Sequence, residues 1–411
     1  VKFLHAADIH LDSPMAGLSR RGTIPAHVTR DCTRRAFANL VDLAISEDVA
    51  FVVIAGDLYD GDWRDFSTGL FFAGEMRRLG RPCFLIRGNH DAASVITRNL
   101  EPPPNVQVMS ARRSETIRLD ALGVAIHGQS FSKPAVPEDL AAGYPAPVAG
   151  MLNIGVLHTS ANDPGEHETY APCTPESLAL KGYAYWALGH IHLRATLHER
   201  PWIVFPGNIQ GRNPRETGAK GCMLVETSER RIVSASFRPL DVLRWHHAVV
   251  DAAGAETMAE LAARLRFALD EAQGEAEGRP LIVRITLAGA TSLHASLVAD
   301  TDAIDAECRN AAAAVSGEMY VERVRLDTTP PAAPVTTTEE IAGLHDTFLA
   351  ALDDPDIQAR LLEDFRDLAK QFPRMAARPA PALPATADDL RALAPEAWLG
   401  IAHALAGTPA P

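Results

Sequence analysis

The sequence predicts an α/β protein in three parts: a layered strand-and-helix domain over residues 1–235, a smaller α+β module over 236–327, and a linker with a helical region over 328–411. Three observations predict it. Short apolar runs alternate with helix-period segments as far as Val225, as a layered sheet requires. The alternation restarts at smaller scale after residue 240. Thr328-Thr-Pro-Pro-Ala-Ala-Pro334 is a linker by composition, and amphipathic helical patterns follow it. A chain of 411 residues with 47% hydrophobic content carries apolar material for roughly two to four such domains.

In chain order, the strand candidates of the first part are Lys2–Ala7, Phe51–Ala55, Cys83–Ile86, Val106–Met109, a hairpin within Thr116–His127, Leu152–Leu157, Tyr185–Leu188, Trp202–Phe205 and Cys222–Val225. Between the first two, Thr33–Glu47 spaces Phe37, Leu40, Val41, Ala44 and Ile45 as one helical face. Ser132–Gly150 reads as a Pro/Ala-rich loop. The second part predicts strands at Ala248–Val250, Leu281–Leu287 and Tyr320–Leu326 and helices at Glu256–Glu271 and Ala303–Ala314. In the third part, Glu339–Leu352, Pro355–Gln371 and Asp388–Ala406 read as helices, with the Pro/Ala segment Pro373–Ala385 between the last two. No internal repeat marks a solenoid.

Composition excludes several classes. The longest apolar runs fall far short of the ~20 residues of a membrane span. Lys2, Asp8, His10 and Asp12 interrupt any secretory core, so a cytoplasmic protein without membrane contact is expected. The five cysteines form no C-x-x-C pair and read as packing residues in a reducing compartment. Residues 1–250 hold 26 acidic and 26 basic residues, so the whole net charge of −13 lies in the remainder. A neutral N-terminal part can still offer phosphates a local surface of Arg20, Arg21, Arg30, Arg34, Arg35, Arg64, Arg77 and Arg78.

Chemistry concentrates where apolar runs end. The first strand runs into Asp8-Ile-His10, the second into Gly56-Asp57 and the third into Gly88-Asn89-His90-Asp91. Leu152–Leu157 ends at His158, and Tyr185–Leu188 runs into Gly189-His190-Ile-His192. Ligands of open α/β sheets bind beyond the carboxyl ends of strands, so five strands deliver these groups to one rim. In Asp8-x-His10 and His190-x-His192 the polar pair shares one face of extended chain, and each pair can chelate. Carboxylate, amide and imidazole together suit Mn, Fe or Zn. Two Asp, one Asn and five His are too many for one tetrahedral site. They suit two ions sharing a bridging carboxylate, an arrangement used for displacement at phosphorus. His5, His27, His127, His167, His198, His246, His247, His294, His345 and His403 lack such a setting and read as packed or surface residues. Neither a phosphate-binding P-loop, a G-x-S-x-G elbow nor an H-E-x-x-H helix is present.

In this order, Asp8-x-His10, Gly56-Asp57, Gly88-Asn89-His90-Asp91, His158 and Gly189-His190-x-His192 resemble the five motifs of the calcineurin-like metallophosphoesterases. Within that superfamily, His5-Ala-Ala-Asp-Ile-His-Leu-Asp-Ser-Pro14, Gly56-Asp-Leu-Tyr-Asp-Gly-Asp-Trp63 and Phe205-Pro-Gly-Asn-Ile-Gln-Gly211 resemble the SbcD-like DNA repair exonucleases, in their YhaO branch. The resemblance implies a layered β-sandwich flanked by helices, with the second part as a capping domain that orients DNA. It implies one ion held by Asp8, His10, Asp57 and His192 and a second by Asp57, Asn89, His158 and His190, both most simply Mn²⁺. It further implies His90 as the residue that stabilises the transition state or protonates the leaving oxygen, with Asp91 or Asp60 as its orienter. The implied activity is 3′–5′ exonuclease and single-strand endonuclease cleavage of DNA with an SMC-like coiled-coil ATPase subunit, docked through the C-terminal helices. A small-substrate phosphodiesterase or phosphatase, a non-catalytic scaffold for an ATPase, and a homodimer all remain open at this level.

Overall fold

The structure is a computed structural model that describes residues 1–15, 24–60, 65–93, 101–161, 170–331, 339–371 and 383–405. It divides into two units, Val1–Ala252 with Thr257–Gly289 and Thr301–Asp327, and Ala253–Glu256 with Ala290–Asp300 and Thr328–Pro411.

The continuous apolar runs are strands covered on both faces. In the first unit β1 (Lys2–Ala6), β2 (Phe51–Ala55), β3 (Cys83–Ile86) and β4 (Val106–Val108) run parallel. The hairpin β5 (Glu115–Leu119) and β6 (Val124–Gly128) leads into β7 (Leu152–His158) and β8 (Tyr185–Gly189). After β9 (Ala195–Glu199) and β10 (Trp202–Phe205), the chain returns as β11 (Gly221–Ser228) and β12 (Arg231–Pro239). These twelve strands form two six-stranded sheets, ordered β12-β11-β1-β2-β3-β4 and β5-β6-β7-β8-β10-β9.

Period-2 alternation explains why both sheets read as unbroken apolar runs. Phe3, Phe51, Val53 and Phe84 face Ile126, Ile154, Val156, Tyr185 and Val204 of the opposite sheet, forming the central core. Their neighbours Leu4, Val52, Ile54 and Leu85 turn outward onto Phe37, Leu40, Val41, Phe72 and Met76 of the helices Cys32–Ser46 and Phe66–Leu79. On the outside of the second sheet, Trp186, Leu188, Ile203 and Phe205 pack under Tyr144, Leu178 and Tyr183. The layered arrangement expected from the sequence is thus a two-sheet sandwich flanked by helices. Strands β9 and β12 and the helix Phe66–Leu79 were not expected. Within Ser132–Gly150, expected as a loop, Ala141–Gly143 forms a single 3₁₀ turn.

The module that follows has three strands, β13 (Arg244–Asp251), β14 (Leu281–Ala290) and β15 (Met319–Thr329), in that order, which belong to the same unit except for Ala290, Thr328 and Thr329. Leu261, Leu265 and Leu269 of the helix Met258–Glu275 and Ile304, Cys308 and Ala312 of the helix Thr301–Val315 are its buried stripes. Thr328 and Thr329, expected to open a linker, end β15 instead. Residues 332–334 of that linker, 373–382 of the second Pro/Ala segment and Ala406 lie outside the described residues.

The second unit contains the helices Glu339–Asp353, Pro355–Gln371 and Ala387–Leu405, with the Trp398 ring against His345 and Phe348. All five cysteines are buried and free, as packing residues should be. Among the described residues no helix is long and apolar enough to cross a membrane.

Candidate metal centre

Parallel pairing brings the carboxyl ends of β1, β2 and β3 to the rim where β7 and β8 of the facing sheet also end. Pairing between the first two continues past the strands: Asp8 N–H donates to Gly56 O (3.1 Å), His10 N–H to Asp57 O (3.0 Å) and Leu11 N–H to Leu58 O (2.9 Å). Along this zipper the backbone is left-handed at Asp8 (φ 51°), His10 (φ 45°), Asp57 (φ 52°) and, across the rim, His190 (φ 104°). Such angles cost non-glycine residues energy and cluster at functional sites. Glycine permits the closest approaches. A Cβ on Gly88 would stand within 3.0 Å of Asp57 Oδ1 and the His158 ring, and one on Gly56 (φ 95°) within 3.0 Å of His158 Nδ1.

The ligand atoms of Asp8, His10 and His192 converge in one group, those of Asp8, Asp57 and His158 in a second and those of His10, Asp60 and His90 in a third. Asp57 Oδ2 lies 3.9 Å from His10 Nε2 and 3.4 Å from His158 Nε2, so its carboxylate stands between the first two groups. Asn89 Oδ1 is 3.0 Å from His158 Nε2, and the His190 ring lies 5.2 Å from that of His158. The His190 N–H donates to both oxygens of Asp8, at 3.0 Å each. All seven residues assigned as metal ligands from the sequence therefore line one rim.

Hydrogen bonding fixes which atoms point inward. A carbonyl only accepts, so His158 Nδ1–H donates to Ala55 O (2.9 Å), and its Nε2 is left facing the oxygens of Asp57 and Asn89. Likewise His192 Nδ1–H donates to Glu216 Oε1 (2.9 Å), and its Nε2 faces His10 Nε2 at 3.3 Å. His10 Nδ1 is buried without a hydrogen-bond partner among the described residues. Acceptors aimed at acceptors in a buried rim require cations between them, and this oxygen and nitrogen set fits divalent ions of the Mn, Fe and Zn kind. Without an ion, protons take that place. Burial lowers His158, but the Asp57 charge overrides it and pushes its pKa up to about 9. Burial also opposes ionisation of Asp57, and the imidazoles of His158, His10 and His90 instead hold it well below the usual carboxylate range.

His90 stands at the mouth of the rim with its side chain 41% exposed, and its Nδ1 lies 2.8 Å from Asp60 Oδ1. Burial pulls Asp60 up, but His90 and Ser13 outweigh it and hold its pKa down to about 2. Of the two acids the sequence offered as orienter of His90, the structure places Asp60 in that position. Asp91 does something else. Its buried carboxylate accepts the N–H groups of Leu58 (3.1 Å), Tyr59 (2.9 Å) and Gly88 (3.1 Å), which ties the loop after β2 to the loop after β3.

Sequence reading missed Ser13, Arg212 and Glu216. Burial raises the Glu216 carboxyl, while His192 and Arg212 hold it well below the usual range. Ser13 lies within the motif His5–Pro14, and for Arg212 and Glu216 the signal was Phe205–Gly211, which ends one residue short of Arg212. Of the expected arginine surface, Arg34 binds Asp12 and Arg78 binds Asp42 and Glu75, while Arg20, Arg21 and Arg64 lie outside the described residues.

The calcineurin-like phosphoesterase family model matches residues 1–194, and the model of the middle domain of metallophosphoesterase YhaO matches residues 245–329. A Bacillus subtilis (strain 168) protein named uncharacterized metallophosphoesterase YhaO is 34% identical over 294 residues, 70% of this chain and 71% of that relative. The DNA double-strand break repair protein Mre11 of Saccharolobus solfataricus is 25% identical over 248 residues, 56% of this chain and 61% of that protein. Its namesake from Aeropyrum pernix is 33% identical over 97 residues, 23% of this chain and 22% of that protein. With the rim built from the family's five motifs and a relative aligned over most of both chains, the chain belongs to the calcineurin-like metallophosphoesterases, hydrolases that cleave phosphoesters with divalent metal ions.

Proposed function

We propose that the chain is a cytoplasmic Mn²⁺-dependent DNA nuclease, a 3′–5′ exonuclease and single-strand endonuclease in DNA repair that works with an SMC-like coiled-coil ATPase. The observation that carries the reading is the Asp57 carboxylate standing between His10 and His158, with the His90–Asp60 pair beside it. The names of the Mre11 relatives support DNA as substrate. Asp8, His10, Asp57 and His192 would hold one ion, and Asp57, Asn89, His158 and His190 the other. Bound there, the ions supply charge neutralisation and an activated water at phosphorus.

The chain's own groups do the rest. Asp60 accepts the His90 Nδ1–H and its charge favours the imidazolium, whose Nε2–H is then the proton that can pass to a departing sugar oxygen. Residues 236–327 would cap the rim and orient the strand, and residues 328–411 would dock the ATPase. The engagement of Arg34 and Arg78 with carboxylates favours a second reading, a small-substrate phosphodiesterase, since few cations are then left for a long phosphate backbone.

The test is degradation of an end-labelled duplex with Mn²⁺, Mg²⁺ or chelator, beside Asp57→Asn and His90→Gln. Cleavage with Mn²⁺ that falls by about 10²-fold or more in both variants supports the nuclease. Hydrolysis of bis-p-nitrophenyl phosphate with intact DNA selects the small-substrate reading. Metal binding without hydrolysis of either selects the scaffold.

A further inference from the structure

One chain of hydrogen bonds joins the two histidines that the proposed reaction uses differently. His90 Nδ1 meets Asp60 Oδ1 at 2.8 Å, and Asp60 Oδ2 accepts from Ser13 Oγ at 2.6 Å. Ser13 Oγ in turn accepts from Arg212 Nη1 at 3.1 Å. On the other side of the same guanidinium, Arg212 Nη2 donates to Glu216 Oε1 at 3.3 Å, and that oxygen accepts from His192 Nδ1 at 2.9 Å. A metal ligand and the acid are thus held from the two prongs of one planar cation, a geometry lysine cannot reproduce. Side-chain exposure is 13% for Arg212 and 8% for Glu216, so the link lies out of bulk water.

The loop that carries the fork is itself anchored. Glu216 Oε2 accepts from Arg212 N–H (2.7 Å) and Asn208 Nδ2 (2.8 Å). Gln210 bonds Leu243 O through Nε2 and Val242 N–H through Oε1, both at 2.9 Å, and Trp245 Nε1 donates to Gly211 O at 3.1 Å. Arg212 therefore has a fixed base from which to place both carboxylates.

We infer that Arg212 is a positioning residue for phosphoester hydrolysis: one prong sets His90 through Ser13 and Asp60, and the other sets His192 through Glu216. The inference rests on the reading of His90 as acid and His192 as ligand, and each arm has its own readout. The arm to His192 governs ion affinity, because groups behind a ligand typically change metal affinity 10–100-fold. The arm to His90 governs protonation of the leaving group, so its loss should cost more when the leaving group is poor.

The experiment measures Mn²⁺ affinity by titration calorimetry, and kcat and KM on a p-nitrophenyl and on a phenyl phosphodiester, for wild type, Arg212→Gln, Arg212→Lys, Ser13→Ala and Glu216→Gln. Arg212→Gln should weaken Mn²⁺ at least about tenfold and lower kcat more than KM changes, with the larger loss on the phenyl ester. Arg212→Lys should recover at most one of the two effects. Ser13→Ala should reproduce only the leaving-group effect and Glu216→Gln only the affinity effect, and both stand if Arg212→Gln fails to fold. Wild-type Mn²⁺ affinity in folded Arg212→Gln, or a kcat loss equal on both esters, overturns the inference. So does Ser13→Ala weakening Mn²⁺ as much as Glu216→Gln. Should wild type hydrolyse no phosphoester, the functional reading fails, while the calorimetric comparison of Arg212→Gln and Glu216→Gln still decides the arm to His192.

Discussion

His5 illustrates how one residue in a metal-bearing strand can serve the fold alone. Its ring is buried three positions before Asp8, where Nε2–H donates to Leu188 O (3.0 Å) and Nδ1 accepts from the Tyr185 hydroxyl (2.9 Å). Burial drives its pKa down to about 3 against the help of that carbonyl, so the folded state holds it neutral. The unfolded chain takes up a proton below about pH 6.5. His5 therefore stabilises the fold above that pH, and the contribution drains away as pH falls toward 3, at about 1.4 kcal/mol per pH unit. Urea midpoints measured from pH 7 to 4.5 should fall less steeply for His5→Gln than for wild type, even though the variant starts lower. Parallel slopes would show that His5 is not held neutral.

The loops after β2 and β3 owe their shape to Asp91, whose side chain does the work of a miniature sheet edge. Asp91→Ala leaves three buried N–H groups without their acceptor, which should cost on the order of 3 kcal/mol. Asp60→Ala removes a partly exposed pair with His90 and the hydrogen bond from Ser13, leaves no buried backbone N–H without its acceptor, and should cost about 1 kcal/mol while lowering turnover. Unfolding in chelator separates the two acids, and equal losses would return Asp91 to a role beside His90. Gly88→Ala tests the same junction sterically: the added methyl meets Asp57 and His158, neither of which has room to move, so calorimetry should show Mn²⁺ binding lost. These loops were legible in the sequence because apolar runs buried on both faces end abruptly in Asp, Asn and His. The helix Phe66–Leu79 was not, because Gly69 and Gly74 break its pattern and its start depends on the Asp65 cap. Arg212 and Glu216 escaped for another reason: they stand on either side of the turn at 213–215, and only tertiary contact with Ser13 and His192 gives them meaning.

Taken whole, the molecule shows a mismatch between its chemistry and its charge. The rim has the equipment for phosphoester cleavage, yet residues 1–250 are net neutral and the remainder carries 26 acidic against 13 basic residues. Each phosphate neutralised by a cation adds about 0.9 to the slope of log affinity against log salt. A nuclease gripping a duplex through six to ten phosphates loses about 10³–10⁵-fold between 50 and 200 mM salt. With Arg34 and Arg78 already on carboxylates, two or three phosphate contacts near the metals are a fitting number for the catalytic unit. Fluorescence-anisotropy binding of a labelled duplex to the chain alone should then weaken only about tenfold to fortyfold over that range. Adding the proposed ATPase should steepen the slope, because the longer grip on DNA would come from the partner. A steep slope without the partner would mean that a basic surface exists on this chain, and DNA handling would then belong to it alone.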